Sequence, residues 1–253
     1  GAGALACLRG KAAADLMASP DVAAGNGFGP DVDTQFLPDQ PRTLYDTGKI
    51  AKVPYLLGSN TDEGTLFLPA AKPMTDQDYM ADLTAMFGAT AAAQVAAAYP
   101  VSNFATGVPN PQTAALARVI GDSRLVCTTF DTAVRTAHTG ASVYMYNFDV
   151  PVPALVSTTL GATHGSELTS VFGTSPTFGS DPSGKAVSDL MQRYWTNFAR
   201  TGNPNAGADL NWPALTESQN VRINFALQPS VVTDFRATEC AFWREAYAVQ
   251  FPM

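Results

Sequence analysis

Charge is scarce in this chain. Asp, Glu, Lys and Arg together make up 15% of its 253 residues, against the usual quarter for a globular domain. The balance is acidic, −7 in all, and the Lys and Arg residues are scattered. No basic stripe exists to follow a nucleic-acid backbone. Long apolar runs are missing too, and none approaches the roughly 20 residues that span a bilayer as a helix. Cysteine is sparse. Cys7, Cys127 and Cys240 form no Cys-x-x-Cys pair and only two histidines accompany them, so neither a zinc site nor any other metal is expected. An odd count leaves one cysteine over, free or paired outside this chain. Their wide separation fits an oxidising, secreted setting, and three buried thiols fit the count equally well. No Asn-x-Ser/Thr acceptor occurs, so N-glycosylation is not expected.

Apolar residues, by contrast, are ample. At 46%, with 10% aromatic, they suffice for a core and exclude a disordered composition. The length allows one large α/β domain or two small ones. Residues 25–41 are rich in Gly, Pro and Asp and read as irregular. Val53-Pro-Tyr-Leu-Leu-Gly58 is a short apolar run closed by a turn signal, as in a buried strand, and Glu63 falls on the loop after it. Thr75-Asp-Gln-Asp78 has the form of a helix start with an acidic third residue. Residues 113–137 read as one helix, or as two if Gly121-Asp122 breaks them. Residues 141–148, rich in β-branched and aromatic side chains, read as a second strand. A Pro-containing loop over 150–161 follows, with His164 at its far end. Val187, Leu190, Met191, Tyr194 and Phe198 mark one apolar helix face, which Gly202-Asn203-Pro204 ends. Residues 220–225 alternate as a last strand, and 239–249 make a final helix. Strands alternating with helices favour an α/β sheet.

Two segments carry chemistry: Gly58-Ser-Asn-Thr-Asp-Glu-Gly-Thr65 and Gly161-Ala-Thr-His-Gly-Ser-Glu-Leu168. Taken singly, Glu63 is most simply a turn carboxylate in water, and His164 a loop histidine bonded to backbone. His138, near a predicted helix end where a cation is favourable, fits that plainer role. Taken together, Glu63 and His164 suit the acid and base of a serine esterase. A histidine base needs a carboxylate on its far nitrogen, to fix the tautomer and stabilise the imidazolium. The order Glu then His, each after a strand-like segment, suits an α/β-hydrolase downstream of its nucleophile. Only the fold can join residues this far apart. The nucleophile itself is not found, because no Gly-x-Ser-x-Gly occurs. Ser123 has Gly121 before it but Leu125 after. Ser166 is flanked by His164 and Leu168, and Ser183 by Asp181 and Lys185. None has the small flanks of a nucleophile elbow.

The wider pattern resembles the C-terminal half of the type-B carboxylesterase/lipase family, which includes cholinesterases, bile-salt-activated lipase and fungal lipases. Residues 53–65 are similar to the family segment that bears the catalytic Glu. Residues 161–168, followed by Val171-Phe172-Gly173, are similar to the segment that bears the catalytic His. Tyr194-Trp-Thr-Asn-Phe-Ala-Arg-Thr-Gly-Asn-Pro-Asn205 with Trp212-Pro213 matches another family signature. Leu5-Ala-Cys-Leu-Arg9, Asp33-Thr-Gln-Phe-Leu-Pro38 and Cys240-Ala-Phe-Trp243 match weaker ones. These motifs run in the family's order along nearly the whole chain.

The resemblance implies a fold: the C-terminal part of an α/β-hydrolase, a mostly parallel central sheet flanked by helices. Residues 1–253 would be a portion of one such domain, with the serine elbow and the Gly-rich oxyanion loop upstream. It implies that Glu63 orients His164, and that His164 acts as general base and then general acid in acyl transfer. Cys127 would pair with Cys240. Cys7 would be an interchain disulfide with an N-terminal fragment of the same enzyme, or a free thiol if the chain stands alone. No cofactor is implied. The substrate would be a small-molecule or lipid ester, and the location secreted or periplasmic. Leu66 stands where cholinesterases hold an aromatic residue, and Phe67 follows it. That makes neutral aliphatic, aryl or acylglycerol esters better candidates than choline esters. Acid and base without a nucleophile or oxyanion donors should not turn over ester alone. Two alternatives stand beside this expectation. One is a cholinesterase-like adhesion or binding domain, against which the presence of both Glu63 and His164 argues. The other is an orphan half-domain with exposed strand edges and apolar faces.

Overall fold

The computed structural model describes residues 2–19, 30–68, 73–104, 110–152, 160–175, 181–207, 210–216 and 219–249. They belong to two compact units, Gly1–Lys49 and Ile50–Met253. The first unit carries three short helices, α1 (Ala2–Arg9), α2 (Ala13–Met17) and α3 (Pro41–Asp46). Leu44 is the one buried side chain among its described residues. Residues 30–40 are irregular, as their composition implies. The Asp33 carboxylate orders them locally by accepting the N–H groups of Gln35, Phe36 and Leu37. The rest of the expected irregular stretch, residues 20–29, lies outside the described residues.

The second unit is built on a four-stranded sheet of β1 (Tyr55–Asn60), β2 (Val143–Phe148), β3 (Val221–Phe225) and β4 (Ser230–Thr233), in that order. The first three strands are parallel and β4 returns antiparallel to β3. This is the mostly parallel sheet that the family resemblance implies. β4 escapes the sequence reading because Ser230-Val-Val-Thr233 does not alternate apolar with polar residues. β1 differs from expectation in burial. It starts at Tyr55 rather than Val53, and only Ser59 and Asn60 at its far end are buried. Its place at the end of the strand order leaves one side unpaired among the described residues.

Helices cover both faces, and alternation along β2 sorts them. Val143 and Met145 point into one core, with Leu83 and Val95 of α4 (Asp76–Ala98), Leu116 and Val119 of α5 (Pro111–Gly121), Phe130 of α6 (Cys127–His138) and Trp243 of α9 (Ala237–Val249). Tyr144 and Phe148 point into the other, with Ile223, Phe225, Trp212 and the Val187–Met191–Tyr194 face of α8 (Pro182–Thr201), which follows the short α7 (Leu168–Val171). Each such side chain contributes about 1.5–3 kcal/mol by leaving water. The helix ends follow the sequence signals. Thr75 and Asp78 form a reciprocal capping box on α4. Asp181 caps α8, and Gly202 ends it in the left-handed region at φ 74°.

The Gly121-Asp122 pair does not break the helical run, which corrects the two-helix alternative. α5 passes into a π-helical turn, Asp122–Val126, and directly on into α6. A glycine weakens a helix by only about 1 kcal/mol relative to Ala, and here close packing outweighs that. A Cβ on Gly121 would lie 2.9 Å from the backbone nitrogen of Gly64. Just beyond the π turn, Cys127 is bonded to Cys240 of α9 across 113 residues. By the chain-entropy estimate, closing a ring of that length contributes about 4 kcal/mol.

Candidate active site

In open parallel sheets, sites form beyond the carboxyl ends of the strands. β1 ends at Asn60, and the chain turns through Thr61 and Asp62 into a 3-10 turn, Glu63–Phe67. The turn closes with the Thr65 N–H donating to the Asp62 carbonyl at 3.1 Å. Gly64 lets it settle against α5, since a Cβ there would lie 1.8 Å from the Ala117 carbonyl oxygen. Glu63 is thereby drawn inside and is 6% exposed. Its Oε1 accepts the Asn60 N–H at 2.8 Å, and its Oε2 lies 2.7 Å from His164 Nδ1.

His164 arrives on the loop that follows β2. Its neighbour Thr163 pairs with Asp62 in an isolated parallel bridge, which extends the β1–β2 pairing past the strands. Asn60 ties both sides of the histidine to the end of β1. Its side-chain amide donates to the Thr163 carbonyl at 2.7 Å and to Glu167 Oε2 at 2.6 Å. The imidazole remains 45% exposed, while the Glu63 side chain it meets is 7% exposed.

Burial pushes the Glu63 carboxyl above its ordinary range, and the Asn60 and His164 hydrogen bonds pull the other way. A buried carboxylate with both oxygens engaged is tolerated where a bare one is not. With Nδ1 committed to Glu63, the ring offers Nε2 for proton exchange. Among the described residues, no cluster of three or more His, Cys, Asp or Glu side chains is arranged to hold a metal ion. Nor is any described helix long and apolar enough to cross a membrane.

Residues 2–243 match the Carboxylesterase family. The chain belongs to that family. A cholinesterase of Mus musculus is 28% identical over 272 residues, covering 94% of this chain and 43% of its own length. An acetylcholinesterase of Bungarus fasciatus is 31% identical over 233 residues, covering 85% of this chain and 38% of its own. The chain thus spans about two fifths of the length of these relatives.

Within this carboxylesterase-family chain, the fold brings Glu63 and His164 together from positions 101 residues apart. Leu66 and Phe67 share the turn with Glu63 and are 50% and 47% exposed. The Phe67 ring centroid lies 5.4 Å from that of the imidazole. Ser123 is buried in the π turn, its hydroxyl directed to the Ile120 carbonyl. Ser183 is in the first turn of α8. Ser166 follows His164 by two residues and is held by its N–H to the Thr163 carbonyl. His138 ends α6. Cys7 is an exposed free thiol in α1. Sequence reasoning passes over Asn60, Asp62, Thr65 and Glu167. Their one signal is the density of short hydrogen-bonding side chains around Glu63 and His164.

Proposed function

We propose that this chain supplies the acid and base of a serine carboxylic ester hydrolase. In this reading it is the C-terminal portion of one α/β-hydrolase domain, and the attacking serine and oxyanion donors come from polypeptide outside these residues. The observation that carries the proposal is the 2.7 Å contact between Glu63 and His164, on loops beyond the carboxyl ends of two paired parallel strands. His164 Nε2 takes the serine proton as the hydroxyl attacks the ester carbonyl, and Glu63 stabilises the imidazolium that forms. The same nitrogen returns the proton to the departing alcohol, and water then repeats the cycle on the acyl-enzyme. Without nucleophile or oxyanion donors the chain alone turns over no ester.

The substrate proposed is a neutral aliphatic, aryl or acylglycerol ester. Leu66 has no π face for a quaternary ammonium, and Leu66 with Phe67 presents apolar surface on the turn that carries Glu63. The Cys127–Cys240 disulfide supports an extracytoplasmic setting, and the exposed Cys7 thiol suits a covalent link to the serine-bearing segment. Substitution tests the core of the proposal. In the enzyme that carries the serine, Glu63→Gln or His164→Ala should lower kcat roughly 10³-fold or more with the unfolding midpoint little changed. Near-normal turnover in either variant overturns the assignment.

A further inference from the structure

Asp62 precedes Glu63 in sequence yet grips a different part of the partner loop. Its Oδ2 accepts the Ala162 N–H at 3.0 Å, and its own N–H donates to the Ala162 carbonyl at 3.0 Å. The carboxylate is so close to that loop that residue 161 has no room for a side chain. Gly161 sits at φ +59°, and a Cβ there would lie 2.1 Å from Asp62 Oδ2. On the other side, Arg118 of α5 approaches Asp62 Oδ1 at 3.8 Å. The Thr65 hydroxyl adds a second tie. It lies 2.7 Å from the Leu160 carbonyl and 2.8 Å from the Thr163 hydroxyl.

We propose that Asp62 is the positioning residue for the base. Of two adjacent carboxylates, Asp62 holds the loop that carries His164 and Glu63 holds its ring. The proposal rests on the reading of Glu63 and His164 as acid and base. A half-exposed imidazole moves with its loop, and a displacement near 1 Å costs roughly 100-fold in rate. Asn60 and Thr65 tie that loop at Thr163, Glu167 and Leu160, and Asp62 adds the tie at Ala162. The Asp62–Ala162 pair of hydrogen bonds fixes that loop two residues before the ring, one of them charge-assisted. What the role requires is an acceptor where Oδ2 lies, rather than charge as such. The Arg118 and Asp62 side chains are 22% and 29% exposed, and so solvated a pair contributes little.

Two substitutions separate acceptor from charge, measured in the enzyme that carries the serine. Asp62→Asn keeps an acceptor for Ala162 and loses the charge. Asp62→Glu keeps the charge and pushes the carboxylate one methylene further toward Gly161. The expected result is kcat within threefold of the parent for Asp62→Asn. For Asp62→Glu, kcat should fall at least tenfold with KM within threefold, and serine modification by a sulfonyl fluoride should slow by the same factor. A purely structural role would shift the unfolding midpoint but leave kcat per titrated serine unchanged, and that outcome overturns the proposal. So does a kcat for Asp62→Glu equal to or above that of Asp62→Asn. If Asp62→Glu does not fold, Asp62→Ala takes its place under the same inequality. Glu63→Gln and His164→Ala run alongside. If they stay active, the acid–base reading falls. If they are inactive while both Asp62 variants match the parent, only the role of Asp62 falls.

Discussion

Single side chains in this structure do their work through burial as much as through contact. Asp122 is 1% exposed. The Tyr99 hydroxyl donates to its Oδ2 at 3.1 Å, the Trp243 indole N–H donates to that hydroxyl at 2.8 Å, and Arg236 stands 3.7 Å from Oδ1. Burial still dominates and pushes the Asp122 carboxyl from 3.8 to about 7. An acid whose pKa rises on folding holds its proton more tightly when folded. Its stabilising share is full below 3.8 and is lost as pH rises toward about 7. Asp122→Asn should therefore flatten the decline of the urea midpoint between about pH 4 and about pH 7. It should not abolish the decline, because burial raises Glu63 and Asp62 in the same direction. A decline as steep in the variant as in the parent would refute the assignment. Glu63 and His164 stood out in the sequence through the resemblance of their two segments to family segments, since taken singly each reads as an ordinary loop residue. Asn60, Asp62 and Glu167 did not, since a partner about a hundred residues away leaves no trace in a local pattern.

At the scale of elements, the site depends on two packings. The parallel pairing of β1 with β2, Asn60 opposite Phe148, delivers both loops to the same edge of the sheet. α5 then presses the Glu63 turn into place across Gly64. Gly64→Ala should destabilise the fold by about 3 kcal/mol or more, since backbone rather than a flexible side chain blocks the new methyl. Turnover of the reassembled enzyme should fall with it, and a parental midpoint and kcat would contradict this packing. Replacing both Cys127 and Cys240 by Ser should cost up to about 4 kcal/mol in denaturant unfolding, leaving kcat of the folded enzyme near parental. Helix faces and ends were open to sequence reading because their signals are local, as in the Thr75 box and the Gly202 stop of α8. The π turn and the edge position of β1 were not. A hydrophobic period says which face is buried, but not which neighbour covers it or how closely backbones approach.

For the whole molecule, the proposed acid and base lie together beside β1, at one end of the strand order. Leu66, Phe67, Leu168 and Phe172 are all exposed in their vicinity along the chain. The isolated chain should bind a hydrophobic dye and lose that binding when joined by serine-bearing polypeptide. Intact mass with and without reductant tests the joining directly. A second species carrying a Gly-x-Ser-x-Gly peptide, released only by reductant, is the expected result. A single species of 26.6 kDa that hydrolyses esters would overturn the need for it. The disulfide has a mechanical consequence as well. It closes a ring spanning 113 residues that contains His164 and leaves Glu63 outside. Tension applied at the two chain ends bypasses the ring, so an oxidised chain pulled to full length should be shorter than a reduced one by about 400 Å. The load runs instead through the segment bearing Glu63. Force therefore parts the carboxylate from the imidazole while the loop that carries the imidazole is still enclosed.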